Sequence, residues 1–371
     1  MNETKQYHQN PAGSSTRILG YDFARALAVL GMILVNFKVV MCGWVTEPAW
    51  LAKFVNLFQG KAAATFVVLA GVGLSLLSAK ARRNNDKTLL KINRNMLLQR
   101  SLILLIGGFL YTPIWPADIL HFYGIYIAIA AFLLAVPSKR IILLAVGTVG
   151  ISILLLILFK YETGWNFLTL TYLDLWSWAG MFRHLFFNGF HPVFPWLALM
   201  LYGMWLGRLD LQDVVIRKRV LIRSLFVMLT VEFLPRLLLA WPGIEWLGIS
   251  NNSGELYAGT SPMPPFPLFI ISGCATASAV ICLSVRVTEK YAHSRLLKPL
   301  VHTGQMALTL YVAHVIVGMG VAEEIAPLHH FSLSFTVLYA LGFSIFSIVS
   351  AHLIRKRFKR GPLEWLMRQF S

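Results

Sequence analysis

The sequence predicts an all-α protein: a polytopic transmembrane helix bundle of about ten spans, with both termini on a basic, cytoplasmic side. Three observations predict it. Apolar residues come in repeated blocks of about 20, the length that crosses ~30 Å of hydrocarbon. Hydrophobic residues make up 57% of the 371 and charged residues only 13%, against about 45–50% and about 25% in a soluble domain. The Lys and Arg that give the net charge of +17 sit in short clusters between the apolar blocks. That placement is a topology signal. It also excludes nucleic acid as a partner, since no basic stripe is interleaved with aromatics and no nucleic-acid motif occurs.

The spans fall at 18–41, 57–79, 97–114, 117–136, 140–160, 191–208, 219–241, 266–286, 305–323 and 332–354. Apolar runs this long, without period-two alternation, argue against strands. The first 16 residues are polar, and the first block carries Asp22 and Arg25 with no small-residue cleavage site after it. It therefore reads as a retained helix rather than a signal peptide. Threading the spans puts 80–100, 137–140, 208–219, 286–298 and the tail from 355 on one side. These stretches hold Arg82, Arg83, Lys87, Arg217, Lys218, Arg219, Arg355 and Arg357, among others. The opposite loops carry Glu47, Glu162, Asp174, Glu245, Glu255 and Glu323 instead. The positive-inside rule makes the basic side cytoplasmic.

Two opposite-side connections are long. Residues 161–190, with Tyr161, Trp165, Tyr172, Trp176 and Trp178, predict an interfacial helix in an aromatic belt. Residues 242–265 are rich in Gly, Pro, Ser and Asn and predict a loop with an extended, Pro-rich end. No linker separates a second domain, so 1–371 reads as a single transmembrane domain with a polar tail at 1–16 and a basic tail at 355–371. Cys42, Cys274 and Cys282 form no CxxC pair or metal-ligand spacing. The expected setting is a multi-pass protein of a bacterial inner membrane. Its first partner is the lipid bilayer, and an oligomer is compatible with it.

Polar residues within apolar blocks are costly and mark interior contacts or ligand paths. Asp22 and Arg25 are three apart and share a helical face. They read either as an internal ion pair or as a contact for an anionic ligand. Asn36 lies about three turns further along the same face. Lys61 opens the second span and either snorkels or binds an anion. Gly71 and Gly73 suit close helix packing. Asp118 and His121 again share a face. The carboxylate could fix the imidazole tautomer and leave the other nitrogen as a base, or it could simply cap the helix. His314, one turn after Tyr311, reads as an interhelical hydrogen-bonding group or a reserve base. Glu323, Glu324, His329 and His330 lack HxxxH or HExxH spacing, so no metal centre is expected. The tail Gly361–Arg368 reads as a short amphipathic segment on an anionic leaflet.

Several of these residues carry a family resemblance. Arg17, Asp22, Arg25, Ala28, Met32 and Asn36 resemble the first-helix signature of the YeiB family and of heparan-alpha-glucosaminide N-acetyltransferases. Asp118–His121 followed by Tyr123-Gly124 is similar to the YeiB motif of the fourth helix. Ala307–Tyr311 and Gly361-Pro-Leu-Glu-Trp-Leu-Met-Arg368 are similar to that family's C-terminal motifs. The resemblance implies a transmembrane acyltransferase. An acyl group, acetyl above all, would pass from cytoplasmic acyl-CoA to an envelope or extracytoplasmic acceptor, such as a carbohydrate. Acetyl-CoA would be a donor substrate and not a tightly bound cofactor. His121 would be the base, oriented by Asp118, with Asn36 on the oxyanion and His314 in reserve. Arg25, Asp22, Lys61 and Arg100 would serve the substrate and the CoA phosphates. Ala26 departs from the Gly common at that position, and the loop after the first helix lacks the histidine of the heparan enzyme.

Two other functions compete. Arg25, Lys38 and Arg236 could line the path of a small-solute transporter or flippase, although paired repeats and broken helices are not evident. A non-catalytic partner of an envelope-synthesis complex is the third reading. The acyltransferase reading makes one geometric demand: spans one, four and nine must converge.

Overall fold

A computed structural model describes residues 17–42, 47–167, 169–239, 259–328 and 330–370. The polar tail 1–16, most of the loop 242–265 with Glu245 and Glu255, and His329 lie outside the described residues.

The described chain is helical almost throughout. It begins with α1 (Leu19–Phe37), which relaxes into a π turn at Lys38–Cys42, and the short α2 (Ala49–Asn56). Then come α3 (Lys61–Arg83), α4 (Lys87–Tyr111), α5 (Leu120–Phe132) and α6 (Ser138–Leu158). A two-stranded hairpin follows, β1 (Trp165–Asn166) paired antiparallel with β2 (Thr171–Tyr172). After it lie α7 (Trp178–Arg183), a π turn at His184–Asn188, α8 (Val193–Leu206) and α9 (Val214–Leu239). The last part holds α10 (Pro267–Lys290), α11 (Leu297–Gln305) and α12 (Ala307–Ala313), then a π turn at His314–Met319. It ends with α13 (Gly320–Ile325), α14 (Leu333–Arg357) and α15 (Pro362–Gln369).

Among the described residues, six segments are long and apolar enough to cross a membrane: 19–42, 49–83, 138–158, 267–290, 307–325 and 333–357. The 178–188 and 193–206 pair, bent by 47°, makes a seventh if it acts as one span. Three expected spans do not meet that standard, each for a physical reason. Helix α5 has 13 residues, about 20 Å, against ~30 Å of hydrocarbon. Helix α4 carries Lys87, Lys91, Arg94 and Arg100, and α9 carries Arg217, Lys218, Arg219, Arg223, Glu232 and Arg236. Residues 161–190 are a hairpin and a short helix rather than one interfacial helix.

Small residues let the helices approach closely, as membrane bundles require. A Cβ on Gly71 would lie 2.1 Å from the Met200 carbonyl oxygen, and one on Gly203 would lie 2.1 Å from that of Val68. Gly71 is therefore a packing residue between α3 and α8. On Gly73 a Cβ would meet nothing within 4 Å. Arginine side chains tie the connections of one end together. Arg208 donates to the Val136 carbonyl at 2.7 Å, Arg217 to Glu289 at 2.8 Å and Arg355 to Gln305 at 3.0 Å. This basic end holds the starts of α1, α6 and α9 and the ends of α3, α8 and α10.

The tail forms its amphipathic helix, yet α15 does not merely lie on a surface. Its Glu364 carboxylate accepts from the backbone N–H groups of Leu308 and Thr309 at 2.8 and 3.0 Å, and from the Thr309 hydroxyl at 2.6 Å. It thus caps the N-terminus of α12, the helix that leads to His314.

Candidate functional site

Asp118 and His121 stand at the start of α5, both wholly buried. The Asp118 Oδ2 accepts the backbone N–H of His121 at 3.2 Å and the ring Nδ1–H at 2.9 Å. The cap and the tautomer lock are therefore the same carboxylate. With Nδ1 donating, the lone pair of the neutral ring lies on Nε2. That nitrogen is buried and has no hydrogen-bond partner among the described residues. From the other side, the Tyr311 hydroxyl donates to Asp118 Oδ1 at 3.2 Å while its oxygen accepts from the Ile119 N–H at 3.1 Å. Phe109 stacks on the imidazole with centroids 5.0 Å apart.

The second histidine joins through helix α1. The Asn36 amide nitrogen donates to His314 Nε2 at 3.0 Å. An amide nitrogen only donates, so this Nε2 is the acceptor and its lone pair is engaged. Tyr311 links the two histidines: its ring centroid lies 5.3 Å from that of His314, and its hydroxyl reaches Asp118. Spans one, four and nine therefore converge in a chain running from Asn36 through His314 and Tyr311 to Asp118 and His121.

Sequence reasoning missed two further histidines. The His184 ring stacks 5.7 Å from His121 and meets Tyr172 edge-on at 4.7 Å. The His191 ring lies 4.6 Å from Trp196. The Nδ1 atoms of both are buried without a partner among the described residues. The available signal was two histidines set in the aromatic run Phe182–Phe194. A third feature lay outside any sequence pattern. His184 and His314 each open a π turn, and a third π turn begins two residues after Asn36. Such turns recur at functional sites.

The hairpin forms a lid over His184. Asn188 donates to the carbonyls of Tyr161 and Thr163 at 2.7 and 2.8 Å and accepts from the Tyr172 hydroxyl at 2.8 Å. Arg183 donates to the Tyr172 oxygen at 2.8 Å and to Asp174 at 2.6 and 2.7 Å. Burial pushes the Tyr172 hydroxyl above its ordinary range despite Arg183 beside it, so it stays protonated and donates to Asn188.

The remaining expected residues divide between the two ends. At the basic end, Asp22 accepts from Arg17 at 2.6 and 2.9 Å, from Arg25 at 3.0 Å and from Gln305 at 3.1 Å. Asp22 is thus a saturated structural carboxylate. Arg25 keeps 28% of its side chain exposed, and it lies in the electrostatic neighbourhood of the half-buried Tyr123, two residues beyond His121. Arg100, half-buried on α4, shares an electrostatic neighbourhood with Arg368. Arg25 lies about 16 Å along α1 from Asn36. Lys61 does not join these cations. It sits at the opposite end, paired with Glu232, which also accepts from Ser272 at 2.8 Å and Thr260 at 3.0 Å. Lys38 donates to Asn56, and Arg236 pairs with the same Glu232.

Comparison with protein families accords with this arrangement. Residues 17–224 match the family model described as heparan-alpha-glucosaminide N-acetyltransferase, catalytic. Residues 212–371 match a model described as a protein of unknown function, DUF418, the YeiB-type segment. No curated protein matches the chain. The first match covers more than half of the chain and includes Asn36, Asp118, His121, His184 and His191. The chain belongs to the heparan-alpha-glucosaminide N-acetyltransferase catalytic family, with a YeiB-type segment completing it.

Proposed function

We propose that the protein is a membrane acyltransferase that moves an acyl group, acetyl in the first instance, from acyl-CoA to a hydroxyl or amine of an envelope acceptor. The carrying observation is the buried His121 ring, with Nδ1 held by Asp118 and Nε2 left without a partner among the described residues. Family membership sets the reaction class.

In this reading the acceptor attacks the thioester carbonyl while His121 Nε2 takes its proton. Asp118 holds the tautomer and steadies the imidazolium. The tetrahedral intermediate collapses with cleavage of the C–S bond, and the proton passes from His121 to the departing CoA sulfur. Asn36 spends one amide hydrogen on His314 and keeps a second for the oxyanion. His314, its lone pair engaged, ranks below His121 as a base. The donor would come from the basic end, placed at the cytoplasm by the positive-inside rule, with Arg25 and Arg100 attracting its phosphates. The acceptor would approach from the opposite end, where Trp176 is 67% exposed beside Phe109. That aromatic mouth suits the apolar face of a sugar ring.

The test uses the full-length protein in lipid nanodiscs with labelled acetyl-CoA and an envelope-glycan extract. The expected result is acetyl-CoA binding with label in the extract, and loss of transfer in His121→Ala. Absence of both binding and transfer overturns the proposal. The transport reading has less support, since Lys38 and Arg236 are held at the end opposite Arg25.

A further inference from the structure

A lateral cleft lies between α6, α8, α9 and α10. Its volume is about 330 Å³. Ala145, Val149, Ala198, Val227 and Ala275 give it an apolar lining, and among the described residues the only charged group lining it is Arg223. Arg223 lies nine residues into α9, so about 13 Å from the start of that helix at the basic end. Arg223 is itself exposed, and a cation beside an apolar cleft favours an anion as its neighbour. Among the described residues, no hydrogen bond or ion pair engages Arg223.

The neighbouring cations deepen the puzzle. Arg219 is one turn nearer the basic end on the same face of α9, and like charges at that spacing repel. On α6, Lys139 shares a face with Ile142 and Val146, which line the cleft. Arg219 and Lys139 are exposed, and again no partner engages them among the described residues. Two other cations of this end are held: Arg217 pairs with Glu289, and Arg208 caps the carbonyls after α5. Three unpaired cations therefore lead from the basic end into one apolar cleft that opens sideways.

We infer that this cleft is a binding site for an anionic phospholipid of the leaflet at the basic end. An acyl chain fills the cleft, and the phosphate sits among Arg223, Arg219 and Lys139. Apolar chain and anionic head match the two halves of the site, and a zwitterionic lipid would fill the cleft without neutralising the cations.

The test is native mass spectrometry of the full-length protein released from mixed micelles of phosphatidylglycerol and phosphatidylcholine. The wild type should retain phosphatidylglycerol preferentially. Arg223→Gln should reduce that preference about fivefold, and Arg219→Gln should add to the loss. Arg223→Lys should keep most of it. Val146→Trp, at an exposed lip of the cleft, should lower retention of both lipids. Inorganic phosphate in excess should not displace the bound lipid. Equal retention of the two lipids, an unchanged preference in Arg223→Gln, or displacement by phosphate alone would overturn the inference. The last result would indicate a soluble phosphate site instead.

Discussion

His121 donates its Nδ1–H to Asp118 across 2.9 Å while the Nε2 of the same ring is buried and unpartnered among the described residues. The pair is a base with its orientation fixed and its lone pair unused. Positioned bases contribute about 10²–10⁴-fold to a rate. His121→Ala should lower acyl transfer by that order while acyl-CoA still binds. Asp118→Asn should also lower turnover, because an amide can turn its NH2 toward Nδ1 and invert the tautomer. Single-turnover transfer measured beside equilibrium binding of acetyl-CoA separates the two effects. Unchanged turnover in both variants would remove His121 from the chemistry.

Gly108 sets how closely α4 approaches this pair. A Cβ there would lie 2.3 Å from the His121 nitrogen and 2.8 Å from Asp118 Oδ2. Both are groups of the Asp118–His121 pair rather than flexible chain ends. Gly108→Ala should therefore displace the start of α5 and lower turnover by at least tenfold, since small misplacements are expensive in catalysis. Gly107→Ala is the control, because a Cβ there meets nothing within 4 Å. Equal activity of the two variants would show that α4 does not position the histidine.

Much of this site was legible in the sequence, and what was missed has a physical pattern. Asp118 and His121 were legible because a three-residue spacing fixes a shared helical face. Their partner Tyr311 was placed near His314 by the same rule, but its bond to Asp118 joins residues 193 apart and has no local signature. His184 and His191 lie in an aromatic stretch where no periodicity distinguishes a lid from an interfacial helix. The span count is not matched where charge and apolarity mix. The apolar blocks of α4 and α9 belong to longer helices that carry four and six charges along their full lengths. Lys61 looked like a snorkelling residue because Glu232, its partner, is 171 residues away.

The Glu364 carboxylate holds the N-terminus of α12, so two motifs that are distant in sequence form one structural unit. Glu364→Ala removes the acceptor for two backbone N–H groups, a cap loss of about 1 kcal/mol. The detergent-solubilised protein should melt a few degrees lower. Transfer should fall by less than in His121→Ala, since the effect reaches His314 only through α12. Glu364→Gln should recover part of the loss, because an amide oxygen still accepts. A variant as stable as the wild type would show that α15 docks through other contacts.

Acid should loosen the contact between α11 and α14. His302 and His352 face each other with Nδ1 atoms 3.2 Å apart. Burial lowers the affinity of His302 for a proton, and His352, Arg355, Lys298 and Lys356 lower it further. Its folded pKa thus lies below the unfolded value, so the folded state binds protons less readily. Its contribution to stability is full above the ordinary imidazole pKa of about 6.5 and declines as pH falls through and below it. The thermal midpoint should drop between about pH 7 and pH 5. His302→Gln should flatten that slope, and an equally steep decline in this variant would place the acid sensitivity elsewhere.

Lys61 and Glu232 provide the last test, because the geometry separates Lys61 from the donor end. The two side chains are 12% and 14% exposed, and Ser272 and Thr260 complete the carboxylate's shell. Lys61→Met leaves that carboxylate without its principal cation, a loss of about 3 kcal/mol for a buried pair. Replacing both partners, as Lys61→Met with Glu232→Leu, should restore most of the stability, since no buried charge remains. The double variant should keep the wild-type KM for acetyl-CoA, whereas Arg25→Gln should raise it. If instead Lys61→Met is stable and raises the KM for acetyl-CoA, Lys61 belongs to the donor site and the division between the two ends fails.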